Sequence, residues 1–162
     1  MTKGDDGLCD IGNGEIAIVN NGGFKTASKD AATADKSMVF KIDAATAGKY
    51  SLTIRIANGS WDDNTGVKKM LESDLTKIFD LYVGDNKVEM ASDAIIPGCE
   101  GSTGSMDNCY QTFYDVHLAD VNLADGENTI TLKLSVKDGA VASSWGDYAD
   151  FKIDYLQITE KA

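Results

Sequence analysis

The fold is decided by the stretch YSLTIRI at residues 50–56, in which apolar and polar side chains alternate strictly. A period of two is that of a β-strand with one buried face, so Tyr50, Leu52, Ile54 and Ile56 are predicted to face a core. A shorter run, MVFKI at residues 38–42, precedes it across the turn-rich segment 43–49. We expect these two strands to pair with each other.

Further strand-like runs follow at a spacing of roughly ten residues, with turn residues between them. They lie at residues 16–19, 78–83, 88–90, 114–118, 121–123, 129–136 and 151–158. Segment 66–78 departs from this pattern, because its apolar residues have helical spacing, which indicates a short surface helix inside a long loop. The sequence predicts an all-β fold, a two-sheet antiparallel β-sandwich of the jelly-roll type, formed by residues 1–162 as a single domain.

Composition excludes several classes of partner. The 162 residues carry a formal charge of −11, whereas nucleic acids and anionic membrane surfaces attract clustered Lys and Arg. No apolar run approaches the roughly 20 residues of a membrane-spanning helix. The polar start at residues 1–6 looks like the edge of a piece cut from a longer protein, so we expect one module of a larger chain.

Three cysteines leave the disulfide pairing open. Cys99 and Cys109 flank a Gly- and Ser-rich loop, and a bridge between them would contribute about 2–3 kcal/mol. In that case Cys9 is left over as a small buried hydrophobe; alternatively it pairs with one of the other two. Because there is no Cys-x-x-Cys motif and no Cys/His cluster, a zinc site is not expected.

Little in the sequence points to catalysis. The single histidine, His117, lies in a predicted strand and is expected to face outward rather than act as a base. There is no Gly-x-Ser-x-Gly motif and no phosphate-binding glycine loop. A pair of carboxylates among the 26 acidic residues is the remaining enzymatic possibility, and we predict that the chain is not an enzyme.

Five short motifs, in order along the chain, resemble those of carbohydrate-binding modules of families 6 and 35. The first is GKYSLTIRIANG at residues 48–59, which is similar to the family pattern G-x-Y-x-L-x-x-R-Y-A-N-G. The others are DLYVGD at 80–85, YQTF at 110–113, LADGENTITL at 123–132 and IDYL at 153–156. The resemblance covers roughly residues 15–160 and implies a β-sandwich that binds glycan without cleaving it.

The resemblance also implies a structural calcium ion. The family's opening strand carries an acidic E-A-E pattern for this ion, and the present chain has no clean copy of it. Asp154 matches the aspartate of the closing motif. Asp5-Asp6 or Glu15 is the expected substitute for the opening pattern, and the alternative is that this strand is altered. Carboxylate oxygens suit this hard cation. The alternative for Asp154 is a turn cap or a solvent-exposed residue.

Sugar sites combine exposed rings with polar neighbours, because sugars present flat apolar C–H faces and a rim of hydroxyls. Both tryptophans lie in predicted loops, which the family places at one end of the sandwich with the paired aromatics. The resemblance therefore implies stacking rings and hydrogen-bonding partners at Trp61, Tyr110, Phe113, Trp145, Tyr148, Asn58, Asp147 and Lys152. The alternative is that these rings cap or fill the core.

Lys152 stands where the family often has an asparagine that bonds the sugar. An ammonium group there suggests a charged sugar such as a uronate, and a solvated lysine is the alternative.

Together these features predict a secreted, extracellular or cell-surface module that is monomeric and binds polysaccharide or oligosaccharide. It would direct a bacterial polysaccharide-degrading enzyme or surface complex to its substrate. A protein–protein adhesion or scaffold module is the first alternative, and a small glycosidase or lyase is the second.

Overall fold

The computed structural model describes residues 9–10, 16–26, 37–58, 61–62, 69–100, 112–141 and 149–162, with side chains described within 37–58, 70–99, 112–141, 151 and 153–162. These ranges contain fourteen strands and one short helix, α1, at Leu75–Ile78. The strands are β1 Cys9–Asp10, β2 Ile16–Thr26, β3 Ser37–Ala44, β4 Gly48–Asn58, β5 Trp61–Asp62, β6 Lys69–Met70, β7 Ser73–Asp74, β8 Phe79–Val83, β9 Asn86–Val88, β10 Ile95–Ile96, β11 Cys99–Glu100, β12 Tyr114–Leu123, β13 Gly126–Leu134 and β14 Ala149–Glu160.

Two main sheets form the sandwich. One has five strands in the order β1-β3-β13-β8-β9, and the other has four in the order β12-β4-β14-β2. Neighbouring strands are antiparallel except β1 and β3, which are parallel. Two small sheets, β10-β7 and β11-β6-β5, complete the described strands. The predicted all-β sandwich with antiparallel sheets is confirmed.

The core lies between the two main sheets. Tyr50, Leu52, Ile54 and Ile56 of β4 are all buried, which confirms the face predicted from their alternation. The five-stranded sheet contributes a matching set, which includes Phe40, Ile42, Phe79, Leu81, Ile130 and Leu132. The rings of Phe79 in β8 and Phe151 in β14 meet across the core with their centroids 6.0 Å apart and their planes inclined by 49°.

The prediction that the strands at 38–42 and 50–56 pair with each other is wrong. β3 lies in the five-stranded sheet beside β13, and β4 lies in the four-stranded sheet between β12 and β14. The bend at residues 45–47 carries the chain from one sheet to the other. Both strands bury their apolar faces, but they do so by facing each other across the core, as the sheets of a sandwich do.

The crossing from β12 to β13 between the sheets is closed by a buried asparagine. β12 ends at Leu123 in one sheet, and β13 begins at Gly126 in the other. Asn128 accepts a hydrogen bond from the amide of Ala124 and donates to the carbonyl oxygens of Ala124 and Gly126. Gly126 has a φ of 83°, a backbone conformation that residues with a Cβ atom rarely adopt. The turn residues predicted between the strands at 121–123 and 129–136 thus link the two sheets.

The helix predicted within 66–78 is shorter and more buried than expected. Of the described residues 69–78, residues 69–70 and 73–74 are strands, and Leu75–Ile78 alone are helical. Asp74 caps the helix by accepting a hydrogen bond from the amide of Thr76 at 3.0 Å. Leu75 and Ile78 are both buried in the core. Their helical spacing therefore reflects one helical turn packed against the sandwich, and not a surface helix.

Every carbonyl of this one-turn helix has a partner, although helix ends normally leave such groups unpaired. Leu75 O accepts from the amide of Phe79, and Ile78 O accepts from the amide of Ser135. Lys137 pairs with the other two carbonyls of the helix. Its backbone amide donates to Lys77 O, and its ammonium donates to Thr76 O at 2.6 Å. The segment after β13 therefore holds the helix in place.

The Lys137 ammonium also neutralises a half-buried carboxylate. It lies 3.0 Å from Asp80 Oδ1 and donates to Phe79 O, and the Lys87 ammonium lies at the same distance from the same oxygen. Burial raises the pKa of Asp80, but hydrogen bonds from Lys137 and Lys87 outweigh it, so that the pKa lies below its usual value. The ionised form of Asp80 is therefore stabilised by folding.

Asp80→Asn is expected to destabilise the protein at neutral pH and to lose this effect in acid. Because the folded-state pKa lies below the ordinary value of 3.8, wild-type Asp80 contributes stability above that value and loses it as the pH falls through the folded pKa. Urea unfolding of both proteins across this range measures the difference. Asp43→Asn, at an exposed position of β3, is the matched control. A gap between wild type and Asp80→Asn that stayed constant with pH would contradict the ion pair.

Within the ranges described, no helix is long and apolar enough to cross a bilayer.

Candidate functional site

One end of the four-stranded sheet gathers the strand ends that lead to the predicted stacking rings. Asn58, the last residue of β4, lies opposite Phe151 of β14, and Tyr114, the first residue of β12, lies opposite Ile56. Ala149, the first residue of β14, lies at the same end, since it comes two residues before Phe151. The candidates that adjoin these strand ends in sequence are Trp61, Tyr110, Phe113, Trp145 and Tyr148.

Trp61 lies on the outer strand of the small three-stranded sheet. The backbone of Trp61 in β5 pairs with Met70 in β6, and Met70 pairs in turn with Cys99 in β11. Cys99 is disulfide-bonded, and its partner sulfur lies outside the described side chains. Cys99 therefore forms a disulfide, and its pairing with Cys109 stays a prediction.

Asn58 connects the end of β4 to the far end of the segment that carries Trp61. Its side chain is buried, and its amide donates hydrogen bonds to Leu71 O and, at 2.8 Å, to Ser73 Oγ. Asn58, which precedes the segment 59–70 in sequence, is thereby bonded to two residues that follow that segment. A sugar contact by Asn58 stays a prediction. Its hydrogen bonds to Leu71 and Ser73 indicate that Asn58 positions the neighbouring segment.

Phe113 is half-buried, and Arg55 lies over its ring. The guanidinium carbon of Arg55 is 5.9 Å from the ring centroid, a cation–π contact. Arg55 also bonds Asp115 Oδ1 at 3.1 Å, and Tyr155 donates to the same oxygen at 3.1 Å. Burial raises the pKa of Tyr155, and its hydrogen bond to Asp115 acts in the same direction, so the phenol keeps its proton at neutral pH.

Asp154, the predicted calcium ligand, lies beside the same arginine. Arg55 Nε is 3.4 Å from Asp154 Oδ2. In the described part of the chain no three His, Cys, Asp or Glu residues come together as a metal site. A guanidinium at the Asp154 carboxylate opposes a second cation there, so the described residues do not fit a calcium ion, and calcium stays a prediction from the resemblance.

The remaining predicted site residues lie outside what the structure describes. Lys152 is placed only as backbone, in β14 between Ala57 of β4 and Gly23 of β2. The residues for which no placement is described are Tyr110, Trp145, Asp147, Tyr148, Asp6 and Glu15.

The Arg55 cluster, by which we mean Arg55, Phe113, Asp115, Asp154 and Tyr155, was missed as a unit by sequence reasoning. The alternation of β4 places Arg55 on the outward face, but register alone brings it between Asp115 and Tyr155. Outward-facing residues on three adjacent strands were the available signal. Their pairing follows only from the strand order.

The described acidic residues give no support to a general acid. A glycosidase needs one carboxyl group whose pKa is raised. Where a shift is resolved among the described carboxyl groups, it is downward: the pKa of Asp120 is lowered first by its hydrogen bond from Lys161, and that of Asp80 is lowered as described above. His117 faces outward from β12, as predicted, and its Nε2 lies 3.2 Å from Asp120 Oδ1.

Comparison with protein-family models finds no match for this chain, and comparison with curated protein sequences finds none either. Solved structures do match. A family 35 carbohydrate-binding module from Paenibacillus barcinonensis matches 91% of this chain and 100% of its own length, with a TM-score of 0.48 and 17% identity. The chain resembles family 35 carbohydrate-binding modules.

Two further structures extend this likeness. A family 35 module from Clostridium thermocellum matches 90% of this chain and 92% of its own, with a TM-score of 0.42 and 19% identity. The GH26-CBM35 β-(1,4)-mannanase of Podospora anserina matches 87% of this chain over 25% of its own length, with a TM-score of 0.42 and 18% identity. At such identities, residue roles do not transfer from those proteins to this chain.

Proposed function

We propose that this chain binds polysaccharide or oligosaccharide without cleaving it. The observation that carries the proposal is the convergence of strand ends at one edge of the four-stranded sheet. The end of β4 and the beginnings of β12 and β14 lie together there, and each adjoins a segment rich in aromatic residues. Rings supplied by neighbouring segments form the kind of shelf on which the apolar face of a sugar stacks.

The sequence motifs support the same proposal independently. GKYSLTIRIANG occupies β4 from its first residue to just beyond its last, and LADGENTITL spans the crossing from β12 to β13. IDYL lies in β14 beside β4. The motifs that resemble families 6 and 35 therefore fall on the strands and turns that build the sandwich and its candidate site.

In this proposal the chain is one module of a larger extracellular protein and holds that protein on glycan. Tethering raises the local concentration of an attached catalytic domain on its substrate without any new catalytic contact. The disulfide at Cys99 supports an oxidising, extracellular location, because disulfides persist there and are rare in the cytosol.

Trp61→Ala and Trp145→Ala are each expected to weaken glycan binding tenfold or more, since truncating an aromatic anchor costs roughly 2 kcal/mol or more. Affinity electrophoresis across a panel of soluble glycans measures the retention of each variant. Trp61→Phe and Trp145→Phe keep an aromatic face and are expected to retain part of the binding. Full retention by both alanine variants would show that the site lies elsewhere, and retention of the wild type by no glycan would contradict the function. Product release from the same glycans would instead identify an enzyme.

A further inference from the structure

The five-stranded sheet carries a groove at β8 and β9, on the opposite side of the core from the four-stranded sheet. One cavity of about 690 Å³ is lined by Asp80, Lys87 and Met90, among others. A second cavity of about 290 Å³ adjoins it and is lined by Tyr82 and Lys133. Asp80 lines both, so the two cavities are neighbours, and we call the pair the β8 groove.

The lysines of the β8 groove differ in how far their donors are committed. The ammonium of Lys137 donates hydrogen bonds to Thr76 O and Phe79 O and forms an ion pair with Asp80, so its charge and two of its three donors are committed within the protein. The side chain of Lys87 is 58% exposed, and Asp80 is the one ion-pair partner of its ammonium among the described residues, which leaves two donors. The side chain of Lys133 is exposed, and its ammonium forms no ion pair or hydrogen bond with the side chains or carbonyls of the described residues. The groove therefore presents two available ammonium groups.

These two lysines flank an aromatic ring. Lys87 of β9 lies opposite Tyr82 of β8, and Lys133 of β13 lies opposite Asp80, two residues earlier on β8. Tyr82 and Asp80 share the outward face because alternate residues of a strand point the same way. Glu89, which is also exposed, adds a second carboxylate to the lining of the larger cavity. Three lysines against two carboxylates give the groove a positive balance in a chain whose net charge is −11.

We propose that the β8 groove is a second binding site and that it takes one anionic pyranose unit. The sugar ring lies on Tyr82, and its carboxylate or sulfate group pairs with Lys87 and Lys133. Asp80 accepts hydrogen bonds from sugar hydroxyls while Lys137 holds it in place. That the ligand is a sugar rests on the proposed function, whereas the groove and its charges do not.

Titration of the ¹⁵N-labelled protein with glucuronate, with a sulfated glucose and with neutral glucose tests this site. The two anionic sugars are expected to shift the backbone resonances of Tyr82, Lys87 and Lys133, and glucose is expected to leave them unchanged. The two anionic arms distinguish a carboxylate from a sulfate as the recognised group. Lys87→Gln and Lys133→Gln are each expected to weaken binding roughly two- to fivefold, the range of a solvent-exposed ion pair. Added salt is expected to weaken it further.

Lys41→Gln is the matched control, because Lys41 lies on the outer face of the same sheet, is about as exposed, and pairs with Glu127. Equal weakening by Lys41→Gln would show nonspecific attraction and overturn the site. So would equal shifts with glucose, or shifts confined to residues around Lys152. Variants at Trp61 and Trp145 are expected to leave the β8 groove unaffected, so failure of the groove and failure of the proposed function give different results.

Discussion

Phe151→Ala is expected to lower the free energy of unfolding by about 3–5 kcal/mol, the cost typical of removing a buried aromatic side chain. Phe151 is completely buried and meets Phe79 from the opposite sheet. Its loss removes apolar burial and leaves a cavity between the two sheets, which cannot collapse freely because both are held by their strand ladders. A loss of this size is a large share of the stability of a domain, which is typically about 5–15 kcal/mol.

Urea unfolding followed by circular dichroism measures this change. Phe151→Leu is the control: it keeps most of the apolar volume and is expected to lose much less stability. Phe151 also lies opposite Asn58, so its removal loosens the end of the sheet where the candidate rings converge. An alanine variant as stable as the leucine variant would show that the ring does not fill the core.

Asn58→Ala is expected to cost about 1–3 kcal/mol of stability, because it removes the donor to the buried hydroxyl of Ser73 and to the partly buried carbonyl of Leu71. It is also expected to weaken glycan binding, since the segment that carries Trp61 loses its attachment to β4. Unfolding in urea and affinity electrophoresis, made on the same variant, give the two readouts.

The pair of readouts separates two roles for Asn58. A positioning residue lowers stability and binding together, whereas a residue that only contacts sugar lowers binding and leaves stability unchanged. Asn122→Ala, at an exposed position of β12, is the control and is expected to change stability by no more than about 0.5 kcal/mol. Reduced binding at unchanged stability would overturn the positioning role and restore direct contact.

Local features of the strands were predictable because they depend on neighbours in sequence. The burial of Tyr50, Leu52, Ile54 and Ile56 follows from a side-chain period of two, and β4 confirms it. Turn residues were predicted between the strands at 78–83 and 88–90, and the structure joins β8 and β9 there in a hairpin in which Gly84 has a positive φ.

The candidate site was only partly predictable. A sugar site was predicted from aromatic residues in predicted loops, and the strand register brings the ends of their segments together. The loop prediction is wrong for Trp61, which lies in the short strand β5. The part played by Asn58 was not predictable, because a polar residue at the end of a strand reads equally well as a ligand contact and as a buried donor. Its partners, Leu71 and Ser73, are thirteen and fifteen residues away. Nothing in the spacing identifies them.

The amino-acid order determined which face of each strand is apolar, where turns occur and which residues carry rings, since these depend on chemistry within a few residues. The tertiary structure alone decided which strands are neighbours: β3 and β4 are consecutive and similarly patterned, yet they belong to different sheets. The physical reason is that an apolar face gains the same burial from a partner sheet across the core whichever strands flank it. Long-range strand pairing sets the strand order, the Arg55 cluster and the β8 groove. The alternation of residues along a single strand carries no information about that pairing.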